Sequence, residues 1–122
     1  MVQCVIDHLS IGVSDLAMSK KFYEAALKPL GYQVKFEMDH GVCFGSDDGD
    51  LWIIKSEPSK IHLAFRAEER AIVDQFYQAA MAADGVDNGA PGLRPQYHEN
   101  YYGAFVFDPD GYNVEAVCRK ES

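Results

Sequence analysis

The chain has 122 residues, 48% of them hydrophobic, which suits one packed domain. Its formal net charge of −8 argues against nucleic acid or an anionic membrane surface as a partner, because both select for basic patches, and leaves a small molecule as the ligand to expect. Cys4, Cys43 and Cys118 lack the pair spacing of a metal site, no apolar run approaches the roughly 20 residues that span a bilayer, and the start lacks a basic-then-apolar leader, so the expectation is a cytoplasmic protein with reduced thiols.

Residues 3–13 alternate as a strand, with Val5, Leu9, Ile11 and Val13 on one side and Cys4, Ile6, His8, Ser10 and Gly12 on the other. Ser14 and Asp15 offer N-cap oxygens to a helix over 16–28, whose apolar stripe is Phe22, Tyr23, Ala26 and Leu27, and Pro29 and Gly31 end it. Residues 32–38, 41–45 and 51–55 read as three strands, the last two joined by the turn Ser46-Asp47-Asp48-Gly49-Asp50. Pro58 then breaks the pairing.

From Ile61 the pattern begins again. A strand carries Ile61, Leu63 and Phe65 on one face and His62, Ala64 and Arg66 on the other. A helix over 68–83 turns Ile72, Val73, Phe76 and Ala80 inward and ends at Asp84-Gly85, where the glycine is the residue that tolerates positive φ. Residues 88–102, rich in Gly and Pro and then in polar and aromatic residues, read as a long loop of the kind that carries binding groups. Residues 104–107 and 112–118 form a hairpin on Asp108-Pro109-Asp110-Gly111.

The offset of 54 positions that takes His8 to His62 also takes Phe22-Tyr23 to Phe76-Tyr77 and Gly31 to Gly85. One unit is written twice, as repeats 1–57 and 58–122 that share a core, and neither half is expected to fold well alone. His8, His62 and Glu115 fall on three strands, each opposite the helix-packing aliphatics. Two imidazoles and one carboxylate with open positions suit Fe(II), Mn(II) or catalytic Zn(II). The position in the first repeat that answers to Glu115 is Trp52 or Ile53, neither of which binds a metal. For His8 taken alone, a satisfied strand histidine is the plainer reading, and for Glu115 a buried ion pair with Arg66 is the explicit alternative.

Asp7-His8-Leu9-Ser10-Ile11-Gly12-Val13-Ser14-Asp15-Leu16, Phe22-Tyr23, Gly31-Tyr32, Ile61-His62-Leu63-Ala64-Phe65 and Phe107-Asp108-Pro109-Asp110-Gly111-Tyr112-Asn113-Val114-Glu115 together resemble a small single-domain member of the vicinal oxygen chelate superfamily. That superfamily includes glyoxalase I, bleomycin resistance proteins, fosfomycin transferases and extradiol dioxygenases. The resemblance implies an α+β fold in which two βαβββ modules pair into a curled mixed sheet with helices on its outer face, often with a homodimer completing the pocket. It implies one divalent metal (Fe, Mn, Zn or Ni) on His8, His62 and Glu115, chelating adjacent substrate oxygens in a lyase, dioxygenase or transferase. Glyoxalase I itself is disfavoured, because its glutamate in the first module is here Trp52 or Ile53. Phe105 stands where the fosfomycin enzymes hold a phosphonate with tyrosine, and Ser10 where they have threonine.

The expected substrate wall is Ser10, Trp52, Ile54, Arg66, Tyr101, Tyr102 and Phe105, with Glu115, His98 and Glu99 as candidate acids or bases. For His98 and Glu99 a solvated loop is an equal reading. The rival function is a metal-free protein of the same fold that binds or sequesters a flat small molecule between Trp52 and the tyrosines.

Overall fold

The computed structural model describes residues 7–46, 50–58 and 61–121. The expected strand residues 3–6 with Cys4, the turn residues 47–49 and the link residues 59–60 lie outside them. The elements run β1 (His8–Val13), α1 (Leu16–Leu27), β2 (Gln33–Met38), β3 (Gly41–Gly45), β4 (Asp50–Lys55), β5 (His62–Arg66), α2 (Arg70–Ala82), β6 (Val86–Leu93), β7 (Tyr102–Phe107) and β8 (Asn113–Cys118). They form a glyoxalase-like α+β fold. The curled sheet consists of two four-stranded mixed sheets, ordered β1-β4-β3-β2 and β5-β8-β7-β6, each closed by one parallel pair between its first and last strand.

Asp15 caps α1 by accepting the main-chain N–H of Met18. Lys28–Leu30 then tighten into a 3-10 turn that includes Pro29, and Gly31 leaves it at φ 87°. α1 covers one face of the first sheet, α2 covers the matching face of the second, and the helices meet. Ile11, Phe22, Leu27, Phe44 and Ile53 from the first half and Leu63, Val73, Phe76, Val106 and Val114 from the second form one core, as the repeat implied. Among the described residues no helix is long and apolar enough to cross a membrane, and Cys43 and Cys118 are buried free thiols.

Two local expectations are corrected. Residues 86–93, assigned mainly to a loop, form β6. Its register shifts between Asp87 and Gly89 and again between Gly89 and Gly92, so the alternation that marks a strand is erased, and Pro91 falls within the second irregularity. At the end of α2 the left-handed residue is Asp84, with φ 69°, and not Gly85. Gly85 is required for space: a Cβ there would lie 2.5 Å from Val106 Cγ1 and 2.7 Å from the Ala80 carbonyl oxygen.

The turn between β7 and β8 ties the halves together. Asp108 is buried, and its Oδ1 accepts the main-chain N–H groups of Asp110 (2.9 Å) and Tyr112 (2.7 Å), while its Oδ2 accepts the Tyr23 hydroxyl of α1 (2.6 Å). The Tyr112 hydroxyl donates to the Gly12 carbonyl at the end of β1. Asp110 accepts the main-chain N–H (3.1 Å) and the hydroxyl of Ser14. Burial pushes the Asp108 carboxyl upward against the pull of its three donors, and pushes the Tyr23 phenol well above its usual range. Tyr23→Phe removes one donor from a buried carboxylate without changing shape. It is expected to cost about 1–3 kcal/mol in urea denaturation, whereas Tyr77→Phe, on an exposed bond to Asp87, stays within about 0.5 kcal/mol of the parent.

Candidate functional site

β5 and β8 run parallel with His62 opposite Asn113 and Ala64 opposite Glu115, so His62 and Glu115 are diagonal neighbours on the face away from α2. His62 Nδ1 lies 2.9 Å from the Asn113 carbonyl oxygen, and Nε2 lies 3.0 Å from Glu115 Oε1. A carbonyl oxygen only accepts, so Nδ1 carries the hydrogen, and the Nε2 lone pair of the neutral ring is aimed at a carboxylate. Two lone pairs at that distance need a cation between them or a proton on one of them. The carboxylate is 2% exposed and the imidazole 48%, so one side of the pair is fixed in protein and the other opens outward.

The second oxygen of Glu115 accepts the Tyr101 hydroxyl. Burial first, and then Glu115, push the Tyr101 phenol up to about 12, with Arg119 pulling the other way. Gly103 makes room for this contact, since a Cβ there would lie 3.3 Å from Tyr101 Cε1 and 3.4 Å from Glu115 Oε2. Phe105 lies opposite Glu115 on β7 and stacks on His62, with ring centroids 6.4 Å apart and planes 21° apart. Tyr97 meets Tyr101 edge-on at 5.1 Å, and the Arg119 guanidinium lies 5.0 Å from the Tyr101 centroid.

The first sheet repeats the layout without the donors. Ser10 is opposite Trp52 just as Ala64 is opposite Glu115, so Trp52 is the counterpart of Glu115. Ile53 is fully buried in the core. The Trp52 ring lies parallel to Phe36, centroids 6.4 Å apart, and Phe36 is 60% exposed. Ser10 and the half-buried Ile54 share the face of Trp52. His8 Nδ1 is 2.7 Å from Asp7 Oδ1, and both residues are exposed.

Among the described residues no three His, Cys, Asp or Glu side chains cluster closely enough to hold a metal. One chain brings together His62 and Glu115 and leaves His8 on the other sheet. Glu115 is satisfied by His62 and Tyr101 and not by Arg66, which stands exposed at the end of β5. Tyr102 points the opposite way from Tyr101: its hydroxyl donates to Asp74 of α2 (2.7 Å) and Arg70 lies over its ring, which removes it from the expected substrate wall. His98 is an exposed turn residue whose Nδ1 accepts the Asn100 N–H, and Glu99 beside it is exposed, so the solvated-loop reading fits both. Sequence reasoning missed Asn113, Gly103, Arg119 and Phe36. Counting alternate residues back from Glu115 and across the hairpin would have separated Tyr101 and Gly103 from Tyr102.

Residues 5–116 match the model of the Glyoxalase/Bleomycin resistance protein/Dioxygenase superfamily. The chain belongs to that superfamily. Among similar solved structures, a glyoxalase/bleomycin resistance protein from Albidiferax ferrireducens T118 is 30% identical, with a TM-score of 0.81 over 93% of this chain and 98% of its own. A lactoylglutathione lyase from Agrobacterium tumefaciens shares the fold at 18% identity, with a TM-score of 0.71 over 93% of this chain and 92% of its own. The uncharacterized protein YqjT of Bacillus subtilis is 28% identical over 91% of this chain and 96% of its own length.

Removal of the Tyr101 hydroxyl leaves Glu115 Oε2 buried without its donor. Tyr101→Phe is therefore expected to lower stability by about 1–3 kcal/mol in chemical denaturation, and Gly103→Ala to displace the Tyr101 ring, read as a changed tyrosine environment by NMR.

Proposed function

We propose that this superfamily member is a metal-dependent enzyme acting on a small molecule that offers two neighbouring oxygens. The carrying observation is the fixed imidazole of His62, whose Nε2 converges with Glu115 Oε1 at 3.0 Å while its Nδ1 is held by the Asn113 carbonyl. The donor set fits a divalent ion, with Fe, Mn, Zn and Ni as the candidates. His62 and Glu115 would hold it together with His8 of a second copy in a homodimer. Asp7 already orients the Nδ1 side of His8, in the manner of a carboxylate behind a metal-binding histidine. When bound, such an ion supplies Lewis-acid polarisation of the substrate oxygens and stabilises negative charge on them.

The chain's own residues do the positioning. Tyr101 occupies Oε2 of Glu115 and so directs Oε1 toward His62. Phe105 braces the imidazole and, with Trp52 and Phe36, supplies apolar surface. Trp52 in place of a second glutamate leaves no carboxylate there to move a carbon-bound proton, which favours a lyase, dioxygenase or transferase over a glyoxalase I isomerase. A cytoplasmic location belongs to the same reading. The exposed Phe36–Trp52 pair also favours a second reading, metal-free binding of a flat ligand, whose sign is quenching of the tryptophan that EDTA does not alter.

Protein purified without chelator and dialysed against each metal is expected to hold about one ion per chain by elemental analysis. His8→Ala, His62→Ala and Glu115→Ala lose it, and His40→Ala, in the exposed turn between β2 and β3, retains it. Co-expressed His8→Ala and Glu115→Ala chains regain one site per heterodimer. Unchanged binding in His62→Ala, or no binding by the parent, rejects the assignment, and sedimentation as a 13.6 kDa monomer rejects the shared site.

A further inference from the structure

Five of the 11 lysines and arginines of this acidic chain have partners that fix their role. Lys20, Lys21, Lys35 and Lys120 meet Glu37, Asp84, Asp50 and Glu68, at distances from 2.9 to 3.5 Å. Arg94, whose guanidinium lies 5.4 Å from the Phe105 centroid, donates to the carbonyl oxygens of Gly92 and Ala90, at 2.8 Å each, and so staples the irregular strand β6. Arg119 differs. It follows β8 directly, four residues beyond Glu115, is exposed, and among the described residues pairs with no carboxylate.

Arg119 is nonetheless held in place. Its guanidinium lies over the Tyr101 ring, that ring is met edge-on by Tyr97, and the Tyr101 hydroxyl is bonded to Glu115. A guanidinium drawn to an aromatic face has less rotamer freedom left to lose on binding, and its N–H groups remain available to a further partner. A planar carboxylate matches the guanidinium fork with two parallel hydrogen bonds. The chain carries a net charge of −8 and repels anions at long range, so an exposed cation with no ion pair among the described residues is a local exception to the overall field.

We propose that Arg119 anchors a carboxylate of the ligand, which makes the ligand class small carboxylic acids lying along the Tyr101 and Phe105 side of the site. The inference rests on the reading that the His62–Glu115 face is where the ligand binds. It places the ligand's negative charge at the rim and its reacting oxygens deeper, toward His62.

The test uses salicylate and its neutral amide, salicylamide, titrated into the full chain in EDTA at low ionic strength and followed by tryptophan fluorescence and by NMR of the arginine side-chain N–H signals. The parent is expected to bind salicylate at least tenfold more tightly than salicylamide. Arg119→Gln abolishes that preference, Arg119→Lys restores part of it, and Lys21→Gln, which makes the same change in net charge on α1, leaves it unchanged. Equal or undetectable binding of the two probes by the parent, or a preference that survives in Arg119→Gln, overturns the anchor. A parent that shows the preference in EDTA but binds no metal refutes the metal reading alone; one that binds metal without the preference refutes the anchor alone.

Discussion

The buried carboxylate of Asp108 is the constraint on which the rest of the molecule depends. It receives two main-chain N–H groups from its own turn and the Tyr23 hydroxyl from the other half. A carboxylate so placed is tolerable only while every donor is present, because an unmatched buried acceptor costs more than a made bond contributes. The turn therefore cannot relax without exposing α1, and α1 cannot shift without leaving Asp108 short of a donor. Tyr112, reaching the Gly12 carbonyl, and Asp110, holding Ser14, extend the same tie to β1. The position of the histidine strand of one half is thus set by the turn that launches the glutamate strand of the other.

The doubled fold was legible because its signals are local. Histidine strands at one offset, aromatic helix stripes and a Pro-Asp-Gly turn each follow from spacing alone. β6 was hidden, because two register shifts remove the alternation on which strand recognition relies, and glycine and proline in the sequence mark the irregularities rather than the pairing. Asp84 took the left-handed conformation expected at Gly85, because the close approach of Val106 and Ala80 claimed the glycine for packing.

The site was legible in part for the same reason. His62 and Glu115 have the right parity, and parity is a sequence property. Their partners are not: the Asn113 carbonyl is a main-chain acceptor that any residue could supply, and Tyr101 differs from Tyr102 only by one step along the strand. Arg66 was a plausible counter-charge for Glu115 by composition, but imidazole and phenol reach the carboxylate first. That His8 lies on the other sheet follows from strand order, which requires knowing that β1 pairs with β4 and β5 with β8.

Trp52 standing where its twin strand has Glu115 separates two kinds of variation. On the glutamate sheet, exchanging a donor changes charge, hydrogen bonding and packing together, because the groups are tied to one another. On the tryptophan sheet, the Phe36–Trp52 pair carries no charge and lies partly in the open, so its size and shape can change without disturbing the polar network across the molecule. With the acid on one sheet only, the two halves of a doubled fold differ in what they can vary: shape on the Trp52 side, and little without disturbing the polar network on the Glu115 side.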